Sequence, residues 1–371
     1  MVQFETVSST TNYWFIRAGN NGGKFFQHFK DNGVVALGHA DDVGLDYEDD
    51  HQFSDAEKEI IIGSTRNFLS NLGESPSQIS NKSNQLNRFL MTMKPNDIVI
   101  TINDNSMMAG RVLSEAYFSS IGLDLHTLRD DTSNITCEYL LRCNVDWGHS
   151  KYRGLIPLEL EKAFRFTGSI MQFTAHDQIK ALNHWLFPIH FVENEVCCTL
   201  RISSQDNLSN NQLTKLSSFL DELELISAYV ENSIDNVEDV NINNLLSFIN
   251  LHKEHYNYAL KAQHLFMSPG HQFIQLPGSL IRKYIYGGLL AALLSPEAVA
   301  FEGLPQNLQL LSSPEVQLLV QEYREVRNVS ILQTSLAVNL SRPSLPHINN
   351  EENEDSSGSG WGTIRSDQTA L

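Results

Sequence analysis

Residues Tyr13–His39, YWFIRAGNNGGKFFQHFKDNGVVALGH, decide how the first half of this chain is read. Tyr13 to Ala18 has strand composition, and Gly19 to Gly23 supplies the turn residues that end it. In Lys24 to Asn32, Phe25, Phe26 and Phe29 fall on one helical face. Gly33 is placed to take a left-handed position at the helix end, and Val34 to Leu37 reads as a second strand. The Gly22-Gly23-Lys24 turn follows a strand and opens a helix as a phosphate-binding loop does. Ala18 replaces the leading glycine and Phe25 the Ser/Thr that holds magnesium, so nucleotide hydrolysis is not expected there.

Working outward, Asp41, Asp42, Asp46, Glu48, Asp49, Asp50, Asp55, Glu57 and Glu59 crowd one segment against a single Lys58, as on a solvated loop and helix face. Ser54 to Glu57 is a capping box, and Ile61, Thr65, Phe68 and Leu72 carry the helix that follows to about Leu72. A second helix ends near Met93. The turn at Lys94-Pro95-Asn96-Asp97 leads into a strand at Ile98 to Ile102, which pairs through Asn103 to Ser106 with a strand containing Arg111 to Tyr117. The long loop Ser119 to Ser133, with His126 and an Arg129-Asp130-Asp131 tip, has the length of a functional or mobile loop. Leu140 to Val145 returns to the sheet, Pro157 to Phe164 reads as a short helix, and Ile170 to Phe173 closes the set.

These residues resemble the EVE-like domains of the PUA-like superfamily, in the version associated with Mrr-type restriction nucleases. The matching parts are the YW-x-IRAG strand, the glycine turn, the F-x-x-F helix and the G-x-VA-x-G strand. KPNDIVIT at 94–101, AGRVLSEAYF at 109–118 and CEYLLRCNVDW at 137–147 extend the likeness, which ends near Thr174. The chain departs from the pattern at Gly38-His39, where relatives commonly carry Gly-Trp. The resemblance implies a modified-base recognition domain over residues 1–180 and a setting in bacterial restriction or antiviral defence. A base pocket needs flat walls and polar edge readers, which Tyr13, Trp14, His39 and Trp147, with Asn103 and Ser106, supply by residue type. Arg17, Lys82, Arg88, Arg111, Lys151 and Arg153 are the candidate contacts to a nucleic-acid backbone.

Beyond Thr174 the composition changes. A helix at Asp177 to Phe187 ends at Pro188, and a strand follows at Val196 to Ile202. A periodic helix runs from Ser209 to about Val230, a helix covers Leu245 to Leu260, and a strand covers Leu265 to Gln275 around Ser268-Pro269-Gly270. The apolar run Tyr284 to Leu294 is too short to span a bilayer and reads as a buried helix. Ser313-Pro314-Glu315 caps a last helix toward Val338. Residues 190–340 form a module of partner contact or self-association, faintly similar to adaptor modules of bacterial conflict systems. Residues 345–371, acidic and then Ser/Gly-rich, read as a disordered tail.

The expected class is therefore α+β. It comprises an EVE-like, PUA-like small β-barrel with packed helices, a helix-rich α+β module and a tail. At 371 residues the chain has room for two cores, and its net charge of −18 confines any polyanion binding to a local patch. Four cysteines without paired spacing fit a reduced, cytoplasmic protein, and the N-terminus lacks the pattern of a secretory signal. His252 and His255, with His264 further on, lack the third ligand of a metal site, and Glu159-Leu160-Glu161-Lys162 lacks the Glu-x-Lys order of a nuclease. The pattern carries no cofactor motif and no catalytic constellation. The function expected is a non-catalytic sensor or adaptor of a modified base in DNA or RNA. The alternatives are a diverged nuclease or hydrolase with its site in the second half, or a structural adaptor with a closed pocket.

Overall fold

The computed structural model describes residues 4–20, 22–125, 135–153, 156–204, 208–265, 270–294, 311 and 313–345. In the first half the elements are β1 (Phe4–Thr6), β2 (Tyr13–Ile16), α1 (Phe26–Asp31), β3 (Val34–Leu37), β4 (His51–Gln52), α2 (Asp55–Asn71), α3 (Pro76–Asn87), β5 (Ile98–Ile102), β6 (Ser106–Val112), β7 (Tyr117–Phe118), β8 (Leu141–Trp147), β9 (Lys151–Tyr152), α4 (Leu158–Ala163) and β10 (Ile170–Phe173). The second half contributes α5 (His176–Leu186), β11 (Ile189–Val192), β12 (Glu195–Ile202), α6 (Asn210–Asn232), α7 (Ile242–His252), β13 (Lys261–Leu265), β14 (Gly270–Pro277), α8 (Leu280–Leu294), α9 (Pro314–Val326), α10 (Val329–Leu336) and β15 (Val338–Leu340). The class is α+β.

One sheet runs β10-β2-β5-β6-β8-β7-β4, with β3 on β8 and β9 on β6. β2 and β5 pair in parallel, and the other pairs are antiparallel. The ladder has two ends, so an open sheet stands where the sequence suggested a barrel. Its central strands are covered on both faces, which is why YWFI and IVITI are apolar throughout rather than alternating. Tyr13, Phe15, Ile98 and Ile100 face one core with Leu160, Phe164 and Leu182, whereas Trp14, Ile16 and Val99 face another with Phe26, Phe29 and Leu86. The α2 capping box forms as the sequence predicts, and Ser75 with Gln78 makes a second one that opens α3. At Gly23 (φ 84°) a side chain would strike the Ile102 carbonyl, so the glycine turn is pressed onto the β5–β6 hairpin.

The second sheet runs β1-β11-β12-β14-β13, with β15 also on β12. Val196, Cys198, Leu200 and Ile202 of β12 face a core built with α6 and α8, leaving Cys197, Thr199 and Arg201 on the opposite face. Tyr284 to Leu294 is buried within this core, apart from a half-buried Ala292. It is core, as its apolar run suggests, rather than exposed surface. The last helix is two helices: Asn328, in left-handed conformation, breaks the chain between α9 and α10. α7 ends at His252, eight residues short of the expected Leu260.

The halves are interleaved in sequence. β1 pairs in parallel with β11 of the second sheet, and Arg111 of β6 binds Glu5 beside it at 2.6 Å. At the other end, Ser341 to Leu345 leaves β15 and returns to the first half, where Leu345 joins the core of Tyr13 and Phe15. Gly148 admits this strap: a side chain there would overlap the Ser344 carbonyl. A single cut near residue 180 thus describes neither unit. The long loop at 126–134 and the tail from residue 346 lie outside the described residues, as does the Ser268-Pro269 pair.

Candidate functional site

The aromatic residues singled out for a base pocket are, for the most part, structural. Trp14 is fully buried and its indole N–H donates to Asp97 Oδ2 at 2.8 Å. Asp97 also accepts from the Asn12 and Lys94 backbone N–H groups, so Trp14 is locked into a network that orders the turn before β5. Tyr13 is buried on the other face of β2, its hydroxyl donating to Asn183 of α5 at 2.6 Å. Burial pushes its phenol well above the ordinary range. Trp147 is partly buried, and its indole N–H reaches the carbonyls of Phe29 and Val34 at 3.0 and 3.2 Å. The two tryptophans both pack into the core on the α1 side and do not wall a shared open cavity. Asn103 closes the β5–β6 turn, its side-chain oxygen accepting from the N–H groups of Asn105 and Ser106.

The cations divide similarly. Arg111 pairs with Glu5, and Arg153 pairs with Glu161 at 2.8 Å while donating to the Asn103 carbonyl. Arg88 is half-buried in the turn that follows α3. Arg17, His39 and Lys82 do converge, around Gln85. His39 Nε2 lies 3.5 Å from Gln85 Oε1, which also accepts from the Ser169 and Ile170 N–H groups, and Arg17 donates to the carbonyls of Phe166 and Gly168. Lys82 pairs with Glu74. Burial holds the His39 imidazole below its usual value despite the Gln85 contact, and Lys82 adds to the shift.

Of the twelve selected residues, Lys151 lines a cavity that several elements build together. About 270 Å³ opens between the halves, lined by Ser150, Lys151, Tyr152 and Pro157 from the first. α5 contributes His184 and Trp185; the second sheet and the strap contribute Thr199, Arg201, His271, Phe273, Ser341 and Arg342. These positions follow from strand alternation: Thr199 and Arg201 on β12, and His271 and Phe273 opposite them on β14, share the face turned away from α6 and α8. Lys151 Nζ donates to the Trp185 and Arg342 carbonyls at 3.0 and 2.6 Å and sits 4.9 Å from the Trp185 ring centre. His184 stacks on Phe273 at 4.6 Å.

Among the described residues no carboxylate lines this cavity, whereas Lys151, Arg201 and Arg342 do. Arg201 and Arg342 are exposed at its rim, with no ion pair among the described residues. Burial, with Arg201 nearby, pulls the Lys151 ammonium down to about 8. Burial, with Lys151 and Arg201, pulls His271 down to about 4, and burial with Lys180 pulls His184 down to about 3. Both imidazoles are neutral near pH 7. The Thr199 hydroxyl donates to the His184 carbonyl at 2.9 Å, so its oxygen is left to accept from His184 Nδ1 at 3.2 Å. His184 Nε2 is then a bare acceptor, and both it and Ser341 Oγ are buried with no hydrogen-bond partner.

Seven of the residues that give this cavity its chemistry, His184, Trp185, Thr199, Arg201, His271, Ser341 and Arg342, were not selected from sequence. The only local signal was the polar Thr199-x-Arg201 alternation in an otherwise apolar strand. The paired His252 and His255 are not joined by His264: His252 packs on Phe248, and His264 lies on β13. Among the described residues no helix is long and apolar enough to cross a membrane. Comparison with known proteins finds no matching family model, no matching curated protein and no matching solved structure.

Proposed function

We propose that this protein is a non-catalytic sensor or adaptor for nucleic acid or its nucleotides, holding its ligand where the two halves meet. The composition of the cavity carries this reading. Lys151, Arg201 and Arg342 line a space with aromatic walls and, among the described residues, no acidic lining, in a chain whose net charge is −18. Positive groups gathered without counter-charge raise the energy of the free protein, and an anion relieves that repulsion on binding. Aromatic rings beside the cations suit a ligand carrying a ring as well as a charge. The resemblance of the first half to EVE-like domains supports the nucleic-acid class and a setting in restriction or antiviral defence.

The test is titration of single-stranded, duplex and nucleotide ligands against wild type and Arg201→Glu, with product analysis in magnesium and manganese. Binding lost in the folded variant, without cleavage, supports the reading; metal-dependent cleavage makes the protein an enzyme. A second reading keeps modified-base recognition on the first half, because Arg17, His39 and Lys82 meet around Gln85 with Tyr139 and Asp41 close to Gly38. Under it, His39→Ala abolishes a preference for modified over unmodified oligonucleotides and Arg201→Glu does not.

A further inference from the structure

Resting on the proposed reading, we infer that the cavity between the halves takes a terminal phosphate monoester, as carried by a nucleoside monophosphate or by the phosphorylated end of a single strand. Three cations line the space and, among the described residues, no carboxylate does. An internal phosphodiester brings one negative charge, whereas a monoester brings about 1.5 to 2 at neutral pH, with three acceptor oxygens. Lys151 is prepared for it. Two of its three ammonium hydrogens are held by the Trp185 and Arg342 carbonyls, which fixes Nζ at the wall and leaves one donor for the ligand.

The arginines complete the set. Arg201 comes from β12 and Arg342 from the strap, and a guanidinium presents a planar fork that matches two phosphate oxygens at once. The aromatic walls call for the rest of a nucleotide: Trp185 and Phe273 line the same space and offer flat faces to a base or sugar. At about 270 Å³ the space lies just under the roughly 300 Å³ at which small-molecule pockets begin. A space of that size suits a phosphate with part of its nucleoside and is too small for a duplex.

The experiment is calorimetric titration of the full chain with inorganic phosphate, adenosine 5′-monophosphate, and a single-stranded octamer bearing either a 5′-phosphate or a 5′-hydroxyl. The inference expects the phosphorylated octamer or the monophosphate to bind at least tenfold tighter than the hydroxyl octamer. Arg201→Gln and Arg342→Gln should each weaken that binding at least fivefold, and Lys215→Ala, on the exposed face of α6, should leave it unchanged. A monophosphate preferred over both octamers assigns the source to free nucleotide, and a preferred phosphorylated octamer assigns it to strand ends; either supports the inference. Equal affinity for the monophosphate and both octamers, still lost in Arg201→Gln, overturns the terminal-phosphate assignment while leaving nucleic-acid binding at the cavity. Absence of binding by all four probes, or binding indifferent to both arginine substitutions in variants that melt as wild type does, overturns both. Inorganic phosphate bound as tightly as the monophosphate overturns the nucleotide part and leaves only an anion site.

Discussion

Trp14 owes its place to two demands met at once, a large ring for the core and an N–H for Asp97. Trp14→Phe keeps most of the ring and removes the donor, so it should destabilise the protein by about 1 to 3 kcal/mol. Ligand affinity should not change, because the cavity lies elsewhere; thermal melting and titration check the two statements separately. Asp41 offers a test with a sign. Burial raises its carboxyl to about 6 even though it accepts from the Leu140 N–H at 3.1 Å, and the neighbouring Asp42 charge adds to the shift. A folded-state value above the unfolded one means that the folded protein binds more protons between pH 4 and pH 6, so stability from this group is lost as pH rises through that window. Asp41→Asn removes the loss while keeping an oxygen for Leu140. It should raise the melting temperature by a few degrees at pH 7.5, by less at pH 5, and by almost nothing at pH 4. An equal gain at every pH would place the effect in packing instead.

At the scale of elements, the break between α9 and α10 and the end of α10 both use left-handed residues, Asn328 (φ 52°) and Ala337 (φ 47°). Asparagine tolerates that conformation, whereas alanine is strained there by roughly 1 kcal/mol. Ala337→Gly should therefore stabilise the protein by up to about 1 kcal/mol against the added freedom of the unfolded chain, measured by denaturant midpoint. The elements themselves were largely readable. The Ser54 capping box, the glycine turn and the KPND turn are local signals, and each formed where its residues stand. Trp14 and Trp147 show the limit of residue type: an indole suited to stack a base and one suited to fill a core are the same residue, and only the fold shows Trp14 fully and Trp147 partly buried. The α9–α10 break escaped because helical spacing continues across Asn328. The cavity escaped for another reason: its lining comes from residues 150–152 and 157, 184–185, 199 and 201, 271 and 273, and 341–342, and only the pairing of β12 with β14 and the return of the strap bring them together.

For the whole molecule the titratable groups around the cavity are Lys151, Tyr152, His184, Arg201, His271 and Arg342. The two imidazoles, at about 3 and about 4, are already neutral at pH 7. With its ammonium near 8, Lys151 loses charge between pH 7 and pH 9, so affinity for an anion should fall roughly tenfold over that interval. Lys151→Met should bind weakly at both values and lack the step. The strap supplies a second expectation. Leu345 is buried in the first-half core, so Leu345→Ala should cost about 2 to 4 kcal/mol and weaken anion binding as Arg342 loses its anchorage.

The interleaving of the two ends also sets a timetable for synthesis. As the chain emerges from the ribosome, Phe4 to Thr6 comes out long before the β11 strand that receives it, and the core around Tyr13 and Phe15 stays unsealed until Leu345 has been made. Strand pairs and contacts so far apart along the chain form slowly, because loop closure precedes their reward. Until then the apolar YWFI strand lacks its full cover, so the growing polypeptide passes through a stage in which this segment is open to aggregation.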